Sequence, residues 1–320
     1  MATNDIRTTE GDFLDRIDSV TLPEPVDSLA EEYDALFEER DRFLWRWIYS
    51  LFPAFTPSSV PETHARHVRT QKTVLTMYVT VLDDLVEHHD DRRTFKQARR
   101  LSRDPAAVDR DRVAVTEEQF AFIEKLWGIF AAGIGDAPRH DEFADVFDYD
   151  MRQTTNAMHY SAVVNRHPRI ANLSGARRYD AHNMVMFPYA DVDLMYSPSF
   201  SLADFGALRD LLWDLQELAR IGNWLTTWER EVREGDYTAG IVVLALEEGV
   251  VTPETLQQSP EAAVAAVQDS DVETRFRQRW RRKHADVRTR EFDTQSVDLR
   301  GLVDGMETVF EYHRASRGHK

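Results

Sequence analysis

Two polar clusters 140 residues apart carry residue types at spacings that could do chemistry. The first is Asp83-Asp84-Leu85-Val86-Glu87. The second runs from Asn223 through Trp224, Leu225, Thr226, Thr227, Trp228, Glu229 and Arg230 to Glu231. Asn223, Thr227 and Glu231 recur every four residues. On a helix such positions line one face, with a drift of about 40° per step. They would present an amide oxygen, a hydroxyl and a carboxylate to one space. All three are hard oxygen donors of the kind magnesium takes, and magnesium commonly completes its shell with phosphate oxygens. Asp83 and Glu87 are also four apart and share a face. Two such faces on two apolar helices predict a site that grips a diphosphate through metal ions.

The plainer alternatives have weight. An Asp-Asp-x-x-Glu string is expected several times by chance in a chain with 56 acidic residues, and alone it reads as a solvated helix face. Its context argues otherwise. Residues 74–82 carry no charge and read as a buried helix running into the acids. Charge at the end of a buried helix costs free energy unless a metal or counter-charge compensates it. The alternative for the second cluster is an exposed polar stripe beside Trp224, Leu225 and Trp228.

Together, in this order and at this distance, the clusters resemble the metal-binding motifs of class I terpene synthases, the isoprenoid cyclases that begin by ionising their substrate. The family's first motif is DDxx(D/E), matched here by Asp83, Asp84 and Glu87. Its second is (N/D)Dxx(S/T)xxxE with a basic residue before the final Glu, matched by Asn223, Thr227, Glu231 and Arg230. Trp224 stands where Asp is common, at a variable position. The chain continues to Gly235-Asp236, like the acidic Gly-Asp segment of bacterial members. Those members also carry a diphosphate-sensing Arg 46 residues before the second motif, an acidic linker three residues on, and then an effector residue. Arg177, Asp180 and then Ala181 and His182 hold that spacing here. Arg suits the role because its planar fork bonds phosphate oxygens bidentately. Arg178 is the alternative sensor, and a basic surface loop the structural one. The family's closing Arg-Tyr pair is absent; Tyr312 or Arg314, with Arg317 beyond, is the candidate substitute, and a frayed basic C-terminus is the structural alternative.

The resemblance spans roughly residues 40 to 315 and is thin before residue 74. It implies an antiparallel helical bundle of the isoprenoid synthase type, with a central apolar cavity and the metal motifs at its mouth. It further implies three magnesium ions, a prenyl diphosphate substrate, C15 or C20 by default, and a possible homodimer. An allylic diphosphate ionises when charge on the leaving group is neutralised. Metal ions on Asp83, Asn223, Thr227 and Glu231 would do so as Lewis acids. Arg177 and Arg230 would add bonds that strengthen as the group departs. The carbocation needs an aromatic-lined, dry space; the candidates for its walls are Tyr78, Phe187, Tyr189, Trp213 and Trp224, each also readable as plain core.

The fold class follows from the residues alone. Apolar positions repeat at helical spacing in Phe120, Ile123, Leu126, Trp127 and Phe130, and in Leu208, Leu211, Leu212, Leu215 and Leu218. Thr116 and Gln119 are spaced as a capping box, Ser201 and Asp204 as a weaker one, and Thr252-Pro253 as a cap with proline in the first turn. No alternating run is long enough for a sheet. The chain is therefore expected to be all-α, a single helical domain over residues 21–320, after a polar tail over residues 1–20.

Composition removes other function classes. A net charge of −17 excludes the basic footprint that nucleic-acid binding needs. No apolar stretch approaches the roughly 20 residues that span a bilayer, and there is no cysteine to build disulfides. With no signal pattern, the expected location is the cytoplasm. Only five of 39 basic residues are lysine; an acidic, lysine-poor surface suits molar salt, although high-GC coding produces the same bias. Two rival functions share parts of this pattern. A chain-elongating or head-to-head prenyl transferase would carry a second aspartate-rich motif, which the Asn/Thr/Glu face replaces. A catalytically silent isoprenoid-binding protein would have no reason to keep three donor types in register.

Overall fold

The computed structural model describes residues 10–37 and 40–319, and among these every regular element is helical. Three helices open the chain: α1 (Glu10–Asp18), α2 (Glu24–Leu36) and α3 (Arg42–Leu51). Two long ones follow a 3₁₀ turn, α4 (Glu62–Glu87) and, after the short α5 (Arg92–Ala98), α6 (Glu117–Gly135). Next come α7 (His140–Arg166), the short α8 (Leu173–Arg178) and α9 (Met186–Met195). The longest helix, α10 (Phe205–Glu234), is followed by α11 (Gly240–Glu247), α12 (Pro253–Gln258), α13 (Pro260–Gln268), α14 (Val272–Arg288) and α15 (Leu299–Ala315). No helix among the described residues is long and apolar enough to cross a membrane.

Helix boundaries follow local chemistry. Thr116 and Gln119 form the reciprocal capping box at the start of α6, and Thr252 caps α12 with Pro253 in its first turn. Ser201 and Asp204 do not form one: Ser201 caps a 3₁₀ turn, while Asp204 accepts two backbone N–H groups and a hydroxyl from Gln295 and Ser296. The tail expected over residues 1–20 is corrected in part. Residues 10–18 form α1, whose Phe13 and Ile17 are buried against α3 and α15. They are spaced four apart, one helical face that the polar residues around them conceal. Residues 1–9 lie outside the described residues.

Two helices organise the packing. Helix α10 lies against α15, α14 and α9, and α4 lies against α6, α7, α9 and α3. A close approach brings the 3₁₀ turn Phe52–Phe55 onto α15: a Cβ on Gly305 would fall 1.6 Å from the Ala54 carbonyl oxygen, so only glycine passes there. Chain direction changes sharply at Val185, a β-branched residue held at φ 57° between a 3₁₀ turn and α9. That left-handed conformation strains a branched side chain.

Helix α9 is fixed by two buried ionic groups. Lys72 on α4 donates to both oxygens of Asp193, at 2.9 and 3.0 Å, and lies 4.9 and 5.0 Å from the ring centres of Phe52 and Phe55. Burial pushes the Asp193 carboxyl up to about 6 despite its lysine partner, and pushes the lysine down. Both directions say that desolvating this pair costs more than its attraction returns. Lys72→Met alone should therefore destabilise by ~3 kcal/mol, by orphaning Asp193, whereas Lys72→Met with Asp193→Leu should be close to neutral. Chemical denaturation of the two variants and the wild type checks this; equal losses in both would contradict it.

Candidate functional site

The C-terminal end of α4 and the last three turns of α10 face one cavity of about 220 Å³. Asp83 and Glu87 line it from α4; Asn223, Thr227 and Glu231 line it from α10. The two sequence clusters therefore meet. Thr76 also lines it, eleven residues before Glu87, about 16 Å along the same helix. The Thr76 hydroxyl pairs with that of Tyr189 at 2.6 Å, and Phe52 packs edge-on to Tyr189 at 5.1 Å. The cavity thus runs along α4 from a polar end to an aromatic end. His88 and Glu234, both exposed, stand at the polar end and make it the mouth.

The polar end is strongly acidic. A further carboxylate, Asp236, is delivered by a helix stop. Gly235 at φ 86° closes α10 with a paired hydrogen-bond motif, Asp236 N–H to the Glu231 carbonyl and Gly235 N–H to Val232. The turned chain puts buried Asp236 on the cavity wall, where Oδ1 accepts from the Thr238 N–H and hydroxyl. Desolvation, then the charge of Asp84 and Asp236, holds the Asp83 carboxyl up at about 7. Desolvation and Asp236 hold Glu231 up at about 7, and Glu87 is raised by desolvation and the charge of Asp83. Among the described residues, Asp83 Oδ1 and Glu231 Oε2 are buried atoms with no hydrogen-bond partner.

Those orphaned oxygens fit a divalent cation as partner, as does the donor set. Among the described residues no three Asp, Glu or His side chains converge closely enough to hold an ion by themselves. A magnesium ion needs only one or two protein carboxylates when phosphate oxygens supply the rest.

Several expected residues stand elsewhere. Asp84 turns away from the cavity: Arg40 donates to its Oδ1 through Nε and Nη2, and the Tyr33 hydroxyl to its Oδ2. Adjacent helical residues diverge by about 100°, so Asp83 and Asp84 cannot serve one face. Arg177 lies on α8, half exposed, and pairs with Glu217, which also takes Arg279 and Lys283. Arg178 does not line the cavity either; residues 183–186 of that segment do. Asp180 is buried behind the wall. Its neighbour His182 packs on Phe187 and Trp213 rather than facing the cavity. Arg230 lines the mouth as expected, paired with Glu234. Tyr312 is buried edge-on to Phe13, and Arg314 pairs with Glu311 at the surface. The residue between them, His313, does line the cavity, together with Val309 one turn earlier on α15. Asp90 pairs with Arg166 and Asp91 caps α5, so neither joins the carboxylate group.

Of the aromatic candidates, Tyr189 alone lines the cavity. Tyr78 donates to the Ala98 carbonyl and packs on Trp127. Phe187 packs on Trp213, which is 52% exposed. Trp224 is buried against Phe276 and Gly240, one helical step off the Asn223 face. The aromatic wall comes instead from Trp47, Phe52 and Phe55.

The residue missed altogether is Arg220. It is 6% exposed, lines the cavity, and donates through Nε and Nη2 to the two oxygens of Asp180, both at 2.7 Å. A signal existed: it sits three residues before Asn223, hence on the same face, inside the apolar run from Leu208 to Ile221. A buried cation in such a stripe demands a partner. Arg40 was likewise legible only as a loop charge, whereas Asp236 had been marked by the Gly-Asp segment that follows the second motif.

The chain matches no protein-family model and no curated protein.

Proposed function

We propose that this chain is a metal-dependent enzyme acting on a prenyl diphosphate, of the class I terpene cyclase kind. The observation that carries the reading is the convergence of Asp83 and Glu87 with Asn223, Thr227 and Glu231 on one cavity whose far end is aromatic. Magnesium fits the donor set, and its chemistry there would be to neutralise the diphosphate leaving group. Asp83 and Glu87 would hold it, with Asp236 and Glu231 adding negative potential.

The protein's own groups account for the other requirements. Arg220 and Arg230 provide cations on the α10 side, where charge-assisted bonds to the departing diphosphate stabilise the transition state more than the ground state. Helix α4 carries the hydrocarbon tail toward Phe52, Phe55 and Tyr189, whose ring faces attract a carbocation. Buried apolar side chains of the lining, Leu51, Val79 and Val309 among them, would keep water from that intermediate. Ionisation breaks the allylic C–O bond and the diphosphate keeps the electron pair; ring closure by a chain double bond and loss of a proton or capture of water completes the balance.

Incubation with geranyl, farnesyl, geranylgeranyl and geranylfarnesyl diphosphates, each with and without Mg²⁺, tests the proposal by gas chromatography–mass spectrometry. A Mg²⁺-dependent cyclic hydrocarbon or alcohol from one of them, with the C15 or C20 substrate expected to react, is the expected result. Incorporation of isopentenyl diphosphate instead would make the chain a prenyl transferase. Diphosphate binding without turnover would make it a silent binder.

A further inference from the structure

The Asn223, Thr227 and Glu231 face already carries a cation of the protein's own. Arg220 Nη1 donates to Asn223 Oδ1 at 2.8 Å, the atom a metal ion would use. The Thr227 hydroxyl is turned to the Asn223 carbonyl at 2.9 Å. The guanidinium is fixed from behind. Both oxygens of Asp180 grip it, and Asp180 is itself fully buried and accepts from Asn183 at 3.1 Å and from the Ser161 hydroxyl at 3.4 Å. A bidentate, buried ion pair of this kind does not swing away without orphaning a carboxylate. A metal ion bound to Asn223 Oδ1 would lie within about 5 Å of Arg220 Nη1. Like charges at that separation in a desolvated cleft repel strongly. On the α4 side Arg40 also lines the cavity, but its guanidinium is spent on Asp84, and among the described residues Asp83 Oδ1 has no hydrogen-bond partner.

We propose that Arg220 takes the place of one metal ion in the diphosphate site, and that the metal ions gather on the carboxylates of Asp83 and Glu87. The inference rests on the diphosphate reading above and departs from the three-ion arrangement that the motif resemblance implies. Arg220 has five N–H donors. Three are engaged by Asp180 and Asn223, and two remain for phosphate oxygens. Asn223 then acts as a positioning residue that aims the guanidinium, and it does not ligate metal. The α10 motif reads like a metal face because the same oxygen donors that suit magnesium also suit a guanidinium.

The test needs no turnover. Mn²⁺ binding to the full chain is followed by electron paramagnetic resonance, and inorganic pyrophosphate binding in the presence of Mn²⁺ by calorimetry. Asp83→Asn should weaken Mn²⁺ binding about tenfold or more by removing a ligand. Asn223→Ala should change Mn²⁺ binding by less than about threefold yet weaken pyrophosphate binding about tenfold, the scale of an orienting-contact loss. Arg220→Met should weaken pyrophosphate binding at least as much without weakening Mn²⁺. Should the methionine variant fail to fold because Asp180 is stranded, Arg220→Lys keeps the charge and loses the fork, and an intermediate loss of pyrophosphate affinity is expected. Asn223→Ala weakening Mn²⁺ as much as Asp83→Asn does would overturn the inference and leave the diphosphate reading standing. Wild type binding neither Mn²⁺ nor pyrophosphate would remove both.

Discussion

Asp83→Asn and Asp84→Asn, one residue apart, should change the protein in opposite directions. Asp83→Asn is expected to lower turnover on the order of 10²–10³-fold, the loss that follows removal of one group stabilising charge in the transition state. In chelator it should also raise the melting temperature. The Asp83 carboxyl is held up at about 7 by desolvation and by Asp84 and Asp236, so at pH 8 its charge is forced on the fold against its preference. An amide of the same shape removes that repulsion. A gain of ~1 kcal/mol would move the midpoint by about 2 °C. Asp84→Asn removes charge from a buried group that accepts from Arg40 and Tyr33, so it should lower the midpoint; breaking a buried pair costs ~3 kcal/mol. Thermal melts with and without Mg²⁺, beside kcat, separate the two. A lower midpoint for Asp83→Asn with activity kept would make Asp83 a structural acid and end the metal assignment.

That contrast marks where sequence reading ends. Periodicity and capping suffice for the helices, because those signals are local. The Thr116 box and the Thr252 cap form as their spacing requires. Spacing of four was also enough to bring Asp83 with Glu87, and Asn223 with Thr227 and Glu231, onto common faces. Which face looks inward is a tertiary matter. Asp84 and Asp83 are equal as letters, and only Arg40, arriving from the loop before α3, takes one of them out of the cavity. Arg177 matched a spacing, but α8 is a short exposed helix and Glu217 on α10 claims its fork. The buried cation came from Arg220 on a different helix, with the expected linker Asp180 as its anchor. The aromatic wall depended on Gly305 letting α15 pass the Phe52–Phe55 turn, a long-range packing event that no window of neighbouring residues encodes. Tyr189 alone among the five aromatic candidates reached the cavity, because the rotation of α4, α9 and α10 about their axes decides such matters in steps of about 100°.

Proton binding should pull stability and metal affinity apart, and the sign of each can be worked out. Asp83 and Glu231 have folded-state values near 7 against the 3.8 and 4.5 of free carboxyls, and Glu87 is shifted the same way. A carboxyl raised on folding binds protons more readily in the folded state, so stability rises as pH falls. The penalty is present in full above pH 7 and is relieved between about pH 7 and pH 4. In chelator the difference in midpoint between wild type and Asp83→Asn should therefore be widest at pH 8 and should close toward pH 5. Metal binding runs the other way, because its ligands must be deprotonated. The apparent Mg²⁺ affinity, read from turnover against Mg²⁺ concentration, should fall about tenfold per pH unit below 7 for each proton displaced. Saturating Mg²⁺ should accordingly stabilise the protein at pH 8 far more than at pH 6. A flat Mg²⁺ affinity from pH 8 to pH 6, with the wild-type midpoint rising on acidification, would show that these carboxylates titrate but do not hold the metal. The cavity's negative charge would then have to be neutralised by the arginines of its lining, Arg40, Arg220 and Arg230. An acidic cavity that repels diphosphate until metal offsets its charge binds the two cooperatively, since the metal removes the repulsion that opposes diphosphate and the diphosphate supplies further oxygen ligands to the metal.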